Sequence, residues 1–324
     1  MFLIIRGTDN ITEEEKQSVM NNQAPGAPNF VAIGFQGGSH GKFLTSLSAS
    51  SYNQKQRNGL STHNWPIAPF PNIKYPYEEY YNENIKEENR CVGEVEKIIK
   101  TSNPGSVAAL IIEPIQIDAG IRYASPLFYR QLIDLCYDNN IAFICDETKT
   151  SGWVSGRPFT HLNWNSERTP HLVTFGGRMQ ISGVYYHHSF RPRVGGVIAS
   201  TWNGDPVKIL LFNRLHDLVH NKDWIDAHCP MFSQSVKSEL LHLQRLVKFK
   251  ITNIRGIGKI FAFDVNHRML RDEIVSSARN MGFKVMPLND TTIGFTPSLL
   301  FAEFHFTHFK NFLANFTPTT LYFG

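Results

Sequence analysis

Residues 107–114 read VAALIIEP, residues 141–147 read IAFICDE and residues 172–177 read LVTFGG. Each begins as an unbroken apolar run and stops at an acid or a pair of glycines. Between the first two stands Ser125-Pro126, an N-cap residue followed by a proline suited to the first helical position. Leu127 to Tyr137 then supplies a helix. Fully apolar strands separated by helices predict an α/β fold with a mostly parallel sheet, buried on both faces by flanking helices. Ligands of such sheets collect at the carboxyl ends of the strands. Those ends hold Glu113, Asp146, Glu147 and the Gly176–Arg178 turn.

Outward to the N-terminal side, Asn29 to Gln36 (NFVAIGFQ) reads as a further strand, leading into a tight Gly37-Gly38-Ser39-His40-Gly41 loop. The stretch from Ala24 to Pro76 carries many Pro and Asn and reads as a long surface excursion. Tyr77 to Lys100 reads as an exposed helix with one apolar stripe of Val92, Val95, Ile98 and Ile99. On the C-terminal side, Asp205-Pro206 opens a helix to about His220, and a second helix covers roughly Met231 to Phe249. Arg255-Gly256-Ile257-Gly258 leads into a strand at Ile260–Val265 (IFAFDV). A helix at Arg268–Met281 stops at Gly282. Strands near Phe283–Met286 and Thr292–Phe295 and a last helix from about Phe304 to Phe316 complete a smaller α+β half. The chain therefore divides into a large domain, 1–205, and a small C-terminal domain with its connecting helix, 206–324.

The 324 residues carry 32 Lys+Arg against 28 Asp+Glu, a formal balance of +4. With 42% hydrophobic and 19% charged residues, the chain has the make-up of a soluble globular protein rather than a disordered one. Lys and Arg form no block of the kind that nucleic-acid binders concentrate. No run reaches the ~18 apolar residues of a membrane span. The opening MFLIIRGTDNITEEEK is too short in its apolar part for a signal peptide and too acidic for a transit peptide. Cys91, Cys136, Cys145 and Cys229 lack C-x-x-C spacing and read as four reduced thiols, with Cys136 and Cys145 buried.

Three clusters invite a chemical reading. Gly37 to Lys42 looks like a phosphate loop but fails the Walker spacing, because Gln36 stands five before Gly41 and Phe43 follows Lys42. A glycine turn and a ligand contact are equally open there. His187-His188 would point to opposite faces of a strand and so make a poor metal pair, and no metal site is expected. Asp146 is sharper: an acid ending an apolar strand needs a partner or water, and suits a cationic ligand group.

The motifs NNQAPGAPNF, HGK, NWPIAPFPNIKYP, AALIIEPIQIDAG, AFICDET, FRP, TWNGDP and RGIG occur in this order. Together they resemble the eukaryotic 4-aminobutyrate aminotransferases, a branch of the class III aminotransferases that depend on pyridoxal 5'-phosphate. The resemblance runs from about Ile11 to Phe316, and implies fold type I, a dimer and the mitochondrial matrix. With no targeting segment seen, a cytoplasmic location is the alternative. It implies a cofactor that serves as electron sink, held by a Lys Schiff base and by an Asp at its pyridinium nitrogen. Asp146 matches that Asp, and His40 the His lying against the ring. Glu113 and Asp118 match the two acids of the EPIQ segment and of the S-E-G-G segment after it. Thr201 matches the threonine reaching the phosphate of the partner subunit's cofactor.

The departures fall on the chemistry. The family's Ser-Lys-Lys turn reads Gly176, Gly177 and Arg178 here, so the Schiff-base Lys is replaced by Gly177 or Arg178. A guanidinium stays protonated and offers no free amine. The family's F-H-G-R reads Ser39-His40-Gly41-Lys42, so Lys42 replaces the Arg gripping the substrate carboxylate and loses its bidentate fork. Lys149 replaces the Gln after the D-E pair. Gly294-Phe295-Thr296-Pro297 replaces R-F-R-P. The resemblance also implies that the family's N-terminal third, with its phosphate-cupping loop, has no counterpart here.

Three readings follow. An active aminotransferase, taking an amino acid and an oxo acid, would have to recruit Lys149. A catalytically silent relative would keep the fold, with weak or no cofactor binding, as a homodimer or paired with an intact paralogue. A truncated product without function would leave sheet faces uncovered and aggregate.

Overall fold

The computed structural model describes residues 10–191, 199, 201–220 and 224–319. Six strands form the first sheet: β1 (Val31–Phe35), β2 (Ile67–Ala68), β3 (Val107–Ile112), β4 (Ala142–Glu147), β5 (Leu172–Phe175) and β6 (Gly183–Tyr186). Their spatial order is β2-β1-β3-β4-β5-β6. The first five run parallel, and β6 pairs antiparallel to β5 at the edge. The unbroken apolar runs are explained by burial on both faces. Leu110, Ile112, Phe143 and Cys145 pack with Phe128, Leu132 and Cys136 of the Pro126–Asp138 helix, while Ala109 and Ala142 face the opposite side.

That helix starts where its sequence says it should. Ser125 accepts a hydrogen bond from the Phe128 N–H, and Pro126 stands in the first turn. Ser125 also donates its N–H and its hydroxyl to the two oxygens of Glu88, at 2.7 and 2.6 Å. Glu88 is 1% exposed and burial raises its pKa. Ser125→Ala removes a cap and one donor to a buried carboxylate, and is expected to cost about 1–2 kcal/mol in a urea titration. An unchanged midpoint would show that the cap is dispensable.

Glu88 belongs to the Tyr81–Thr101 helix, which begins four residues later than the charge pattern suggested. Its inner face is not purely aliphatic. Asn84 is buried beside Cys91 and Val95, and brackets the backbone of Lys74 with two hydrogen bonds. The stretch before it is also more ordered than a surface excursion. It contributes β2 to the sheet, two short helices at Leu44–Ser48 and Gln54–Arg57, and the buried Leu47, Ala68 and Phe70. Polar residues hid this from hydrophobic patterning, because Ser48, Ser50 and Ser51 bond to backbone groups there.

The second sheet is antiparallel, with β7 (Ile251–Ile257), β8 (Ile260–Val265), β9 (Met286–Pro287) and β10 (Thr292–Phe295) in the order β7-β8-β10-β9. β7 was missed in sequence because Asn253 interrupts it; that residue has φ +48° and the register shifts between Thr252 and Arg255. Arg255-Gly256-Ile257-Gly258 thus forms the end of β7 and the hairpin, not a lead-in loop. Helices at Trp224–Leu246, Arg268–Asn280 and Glu303–Asn315 cover this sheet. Phenylalanines dispersed in sequence converge here, with Phe261 stacked on Phe295 at 4.4 Å and Phe309 edge-on to Phe295 at 4.8 Å.

β8 is buried on both faces. Phe261, Phe263 and Val265 face the helices, while Ile260 and Ala262 meet Ile115, Ile121 and Val154 of the first unit. Arg255, 7% exposed, reinforces this seam by donating to the carbonyls of Gly120 and Ile121 and to Asp264. The connecting helix, Pro206–His220, packs Phe212, Leu215 and Val219 against the large unit at Trp153 and Met179. Asp205 caps its start through the Val207 N–H. No described helix is long and apolar enough to cross a membrane.

Candidate active site

The carboxyl ends of β3 and β4 and the loop after β1 converge on one polar cluster. Asp146, 4% exposed, ends β4. Its Oδ2 lies 2.7 Å from His40 Nδ1. Its Oδ1 accepts from the Thr148 N–H and hydroxyl and from the Thr174 hydroxyl, at 3.1, 2.7 and 3.0 Å. Thr174 is there because the parallel register sets it opposite Asp146. Burial alone would raise the Asp146 pKa; the His40 hydrogen bond and charge and the Thr148 bonds outweigh it and bring it down to about 2. An ionised carboxylate only accepts, so His40 donates through Nδ1. His40 Nε2 is then left buried with no partner among the described residues, close to Gly38.

That shift carries a pH dependence. The folded pKa lies below the ordinary 3.8, so the stabilisation is complete above about pH 4 and is lost as pH falls toward 2. It amounts to about 2 kcal/mol. Asp146→Asn is expected to flatten this part of the acid limb in a stability–pH profile. Parallel profiles for the two proteins would refute the assignment.

A second cluster lies beside the first. Lys149 Nζ is 2.7 Å from Asp118, 3.2 Å from Glu113 and 3.2 Å from the Ser39 carbonyl. Burial would lower its pKa, but the two carboxylates overcome this and the net shift is upward. Glu113, 3% exposed, also accepts the Ser39 N–H. Burial holds its pKa above the usual value, although His40 and Lys149 pull it down. Lys149 is thus an ammonium fixed between acids.

The glycine loop is settled as a turn. Its N–H groups from Gly37 to His40 are taken by the Ser51 hydroxyl, the Phe35 carbonyl, Glu113 and the Ser50 hydroxyl. No amides of that run remain to cradle a phosphate.

His40, Glu113, Asp118, Asp146 and Lys149 are therefore brought together. Lys42 is exposed and Thr201 sits on an exposed turn, and neither bonds to the cluster among the described residues. Arg178 is directed away from both acid pairs, donating to the Pro297 and Thr296 carbonyls at 2.7 and 3.0 Å. His187 and His188 lie past the end of β6 rather than within it, with rings 4.1 Å apart, so strand alternation does not govern them. Cys91, Cys136 and Cys145 are free and buried, and burial holds their thiols protonated. The Cys229 side chain lies outside the described residues.

Sequence reasoning named Glu147 only as a strand end. It is fully buried, and its oxygens accept from the Thr150 hydroxyl, the Thr160 and His161 N–H groups and His161 Nδ1. Cys145, Glu147 and His161 place potential ligand atoms within 4.8 Å of one another. Four internal bonds leave Glu147 no capacity to take a cation, so this group is a structural knot.

A mostly parallel sheet with acids at its strand ends is joined here to an antiparallel α+β unit. Residues 8–316 match the aminotransferase class-III family, and the chain belongs to it. Among its relatives is mitochondrial 4-aminobutyrate aminotransferase of Sus scrofa, 33% identical over 314 residues, covering 96% of this chain and 62% of the relative. The Dictyostelium discoideum 4-aminobutyrate aminotransferase is 33% identical over 306 residues, covering 94% and 61%. This chain thus spans about three-fifths of the length of these relatives. In fold it is similar to lysine aminotransferase of M. tuberculosis in the internal aldimine form, with TM-score 0.81 at 20% identity, over 92% of this chain and 68% of that one. The ω-transaminase of Pseudomonas jessenii in complex with PMP superposes with TM-score 0.75 at 17% identity, over 93% and 71%.

The residues present do not fit a covalently held pyridoxal phosphate. The turn after β5 offers no amine, Lys149 is held as an ion pair, and Asp146 already accepts four bonds within the chain.

Proposed function

We propose that this chain is a class III aminotransferase relative that does not transfer amino groups, and whose former reaction site now serves as internal structure. The observation that carries the reading is the fate of the amines. Gly176-Gly177-Arg178 supplies none, and the lysine of the cluster is clamped by Glu113 and Asp118. The test is an absorbance titration of the purified protein with pyridoxal phosphate, then borohydride reduction and peptide mass spectrometry. The expected result is no aldimine band and no adduct on Lys149. A stoichiometric adduct there would overturn the reading.

A second reading, a non-catalytic subunit of a homodimer or of a pair with an intact paralogue, rests on one observation. The Pro206–His220 helix has no buried residue and exposes Val207, Leu210 and Leu211, with Trp202 just before it. Contiguous apolar exposure of this kind marks an interface. Light scattering of the purified protein tests the homodimer, which a monodisperse monomer refutes and dissociation by Leu210→Asp supports; co-purification of an intact aminotransferase tests the mixed pair. Its mitochondrial relatives extend the proposal to that compartment, which fractionation would check.

A further inference from the structure

Away from the acid clusters, a cavity of about 130 Å³ opens at the seam of the two sheets. Its lining includes the charged and amide side chains of Arg122, Arg255, Asn72, Asn253, Asn289 and Asp264, beside the phenols of Tyr75 and Tyr123. The two guanidinium groups differ in how they are satisfied. Arg255 is fully engaged, donating to the carbonyls of Gly120, Ile121 and Asn253, to Thr292 and to Asp264 at 3.0 Å. Arg122 has far less. One terminal nitrogen donates to the Phe70 and Pro71 carbonyls, at 3.3 and 3.1 Å, and the group lies over the Phe70 ring at 5.4 Å.

Among the described residues no carboxylate lies within ion-pair distance of Arg122. Asp264 is committed to Arg255, and Glu87 is held by both forks of Arg90 at 2.8 Å. Burial lowers the Arg122 pKa and Arg255 adds to this, while Tyr75, Cys91 and Glu87 oppose it, and a guanidinium keeps its charge at neutral pH. The cavity is therefore lined by two positive groups and one negative, and the hydrogen bonds of Arg122 engage only one of its terminal nitrogens. A partly desolvated, unpaired cation is costly, and an oxyanion offering paired acceptors is its natural complement. The space suffices, since a water takes roughly 30 Å³.

We propose that this seam cavity is a binding site for a small oxyanion, a carboxylate or a phosphate, received by the Arg122 fork and the side-chain amide of Asn289. Gly120 leaves room for that amide: a Cβ there would stand 2.7 Å from Asn289 Nδ2. Arg122 comes from the large unit and Asn289 from the small one, so the ligand would tie the two together.

The test is thermal unfolding in 50 mM phosphate and in 50 mM acetate, each against chloride at matched ionic strength. An oxyanion with a millimolar Kd is expected to raise Tm by about 3 °C or more over chloride. The larger rise identifies the preferred anion shape, and either supports the site. Arg122→Gln is expected to abolish the difference. Arg122→Lys, which keeps the charge and the fold but loses the fork, is expected to cut it by at least half. Equal Tm values in all three salts, or an undiminished rise in Arg122→Gln and Arg122→Lys, would overturn the proposal.

Discussion

Returning a lysine to the turn after β5, as Gly177→Lys or Arg178→Lys, is expected to leave transamination at the level of free pyridoxal phosphate. The backbone at Gly177, and not only the missing side chain, stands against a lysine there. Gly177 has φ +53°, in the left-handed region, and a Cβ there would stand 3.1 Å from the Thr148 carbonyl oxygen. An L-residue in that region costs roughly 1–2 kcal/mol before the contact is counted. At position 178 the side chain already leads to the Thr296 and Pro297 carbonyls, and a lysine ammonium would find the same acceptors. The existing lysine is no substitute. Glu113 and Asp118 raise the Lys149 pKa and hold it as an ammonium, and an imine forms only from the free amine. Assaying both variants with 4-aminobutyrate and 2-oxoglutarate, with borohydride trapping alongside, checks this. Robust turnover by either single variant would show that the site had lost only one side chain.

Glu147→Ala is expected to be the most damaging single truncation in the large unit. It leaves the Thr160 and His161 N–H groups, the Thr150 hydroxyl and His161 Nδ1 without their acceptor in a fully buried place. Losing a buried hydrogen-bonded carboxylate of this kind costs about 3–5 kcal/mol. For a chain of this size that corresponds to a Tm fall of about 4–7 °C, read by calorimetry. Glu147→Gln restores only part of it, because its amide presents donors to donors. A fall of less than about 2 °C in Glu147→Ala would mean that water replaces the carboxylate and that the knot is not structural.

The large unit was legible in sequence because its strands are apolar on both faces and its main helix announces itself with Ser125-Pro126. Val107–Ile112 and Leu172–Phe175 are found where the pattern placed them. The misses share a cause: polar side chains performing structural work. β7 was hidden by Asn253, and the Leu44–Arg57 region by serines that bond to the backbone. The site was half legible. Motif positions assembled His40, Glu113, Asp118, Asp146 and Lys149, but no local pattern could show Thr174 beside Asp146, which follows from strand register alone. Nor could spacing reveal that Arg178 turns toward Thr296 and Pro297, since that needs the two units to meet.

That meeting sets how the molecule comes apart. β8 gives one face to its own helices and the other to Ile115, Ile121 and Val154, so neither unit can unfold while the other keeps a dry core. The hairpin after β7 presses closer still: Gly258 leaves no room for a Cβ against the Val154 carbonyl, and the Lys259 N–H donates to it. Calorimetry should therefore register one endotherm whose van't Hoff and measured enthalpies agree. The two sheets are separate in topology and are expected to be one unit in cooperativity.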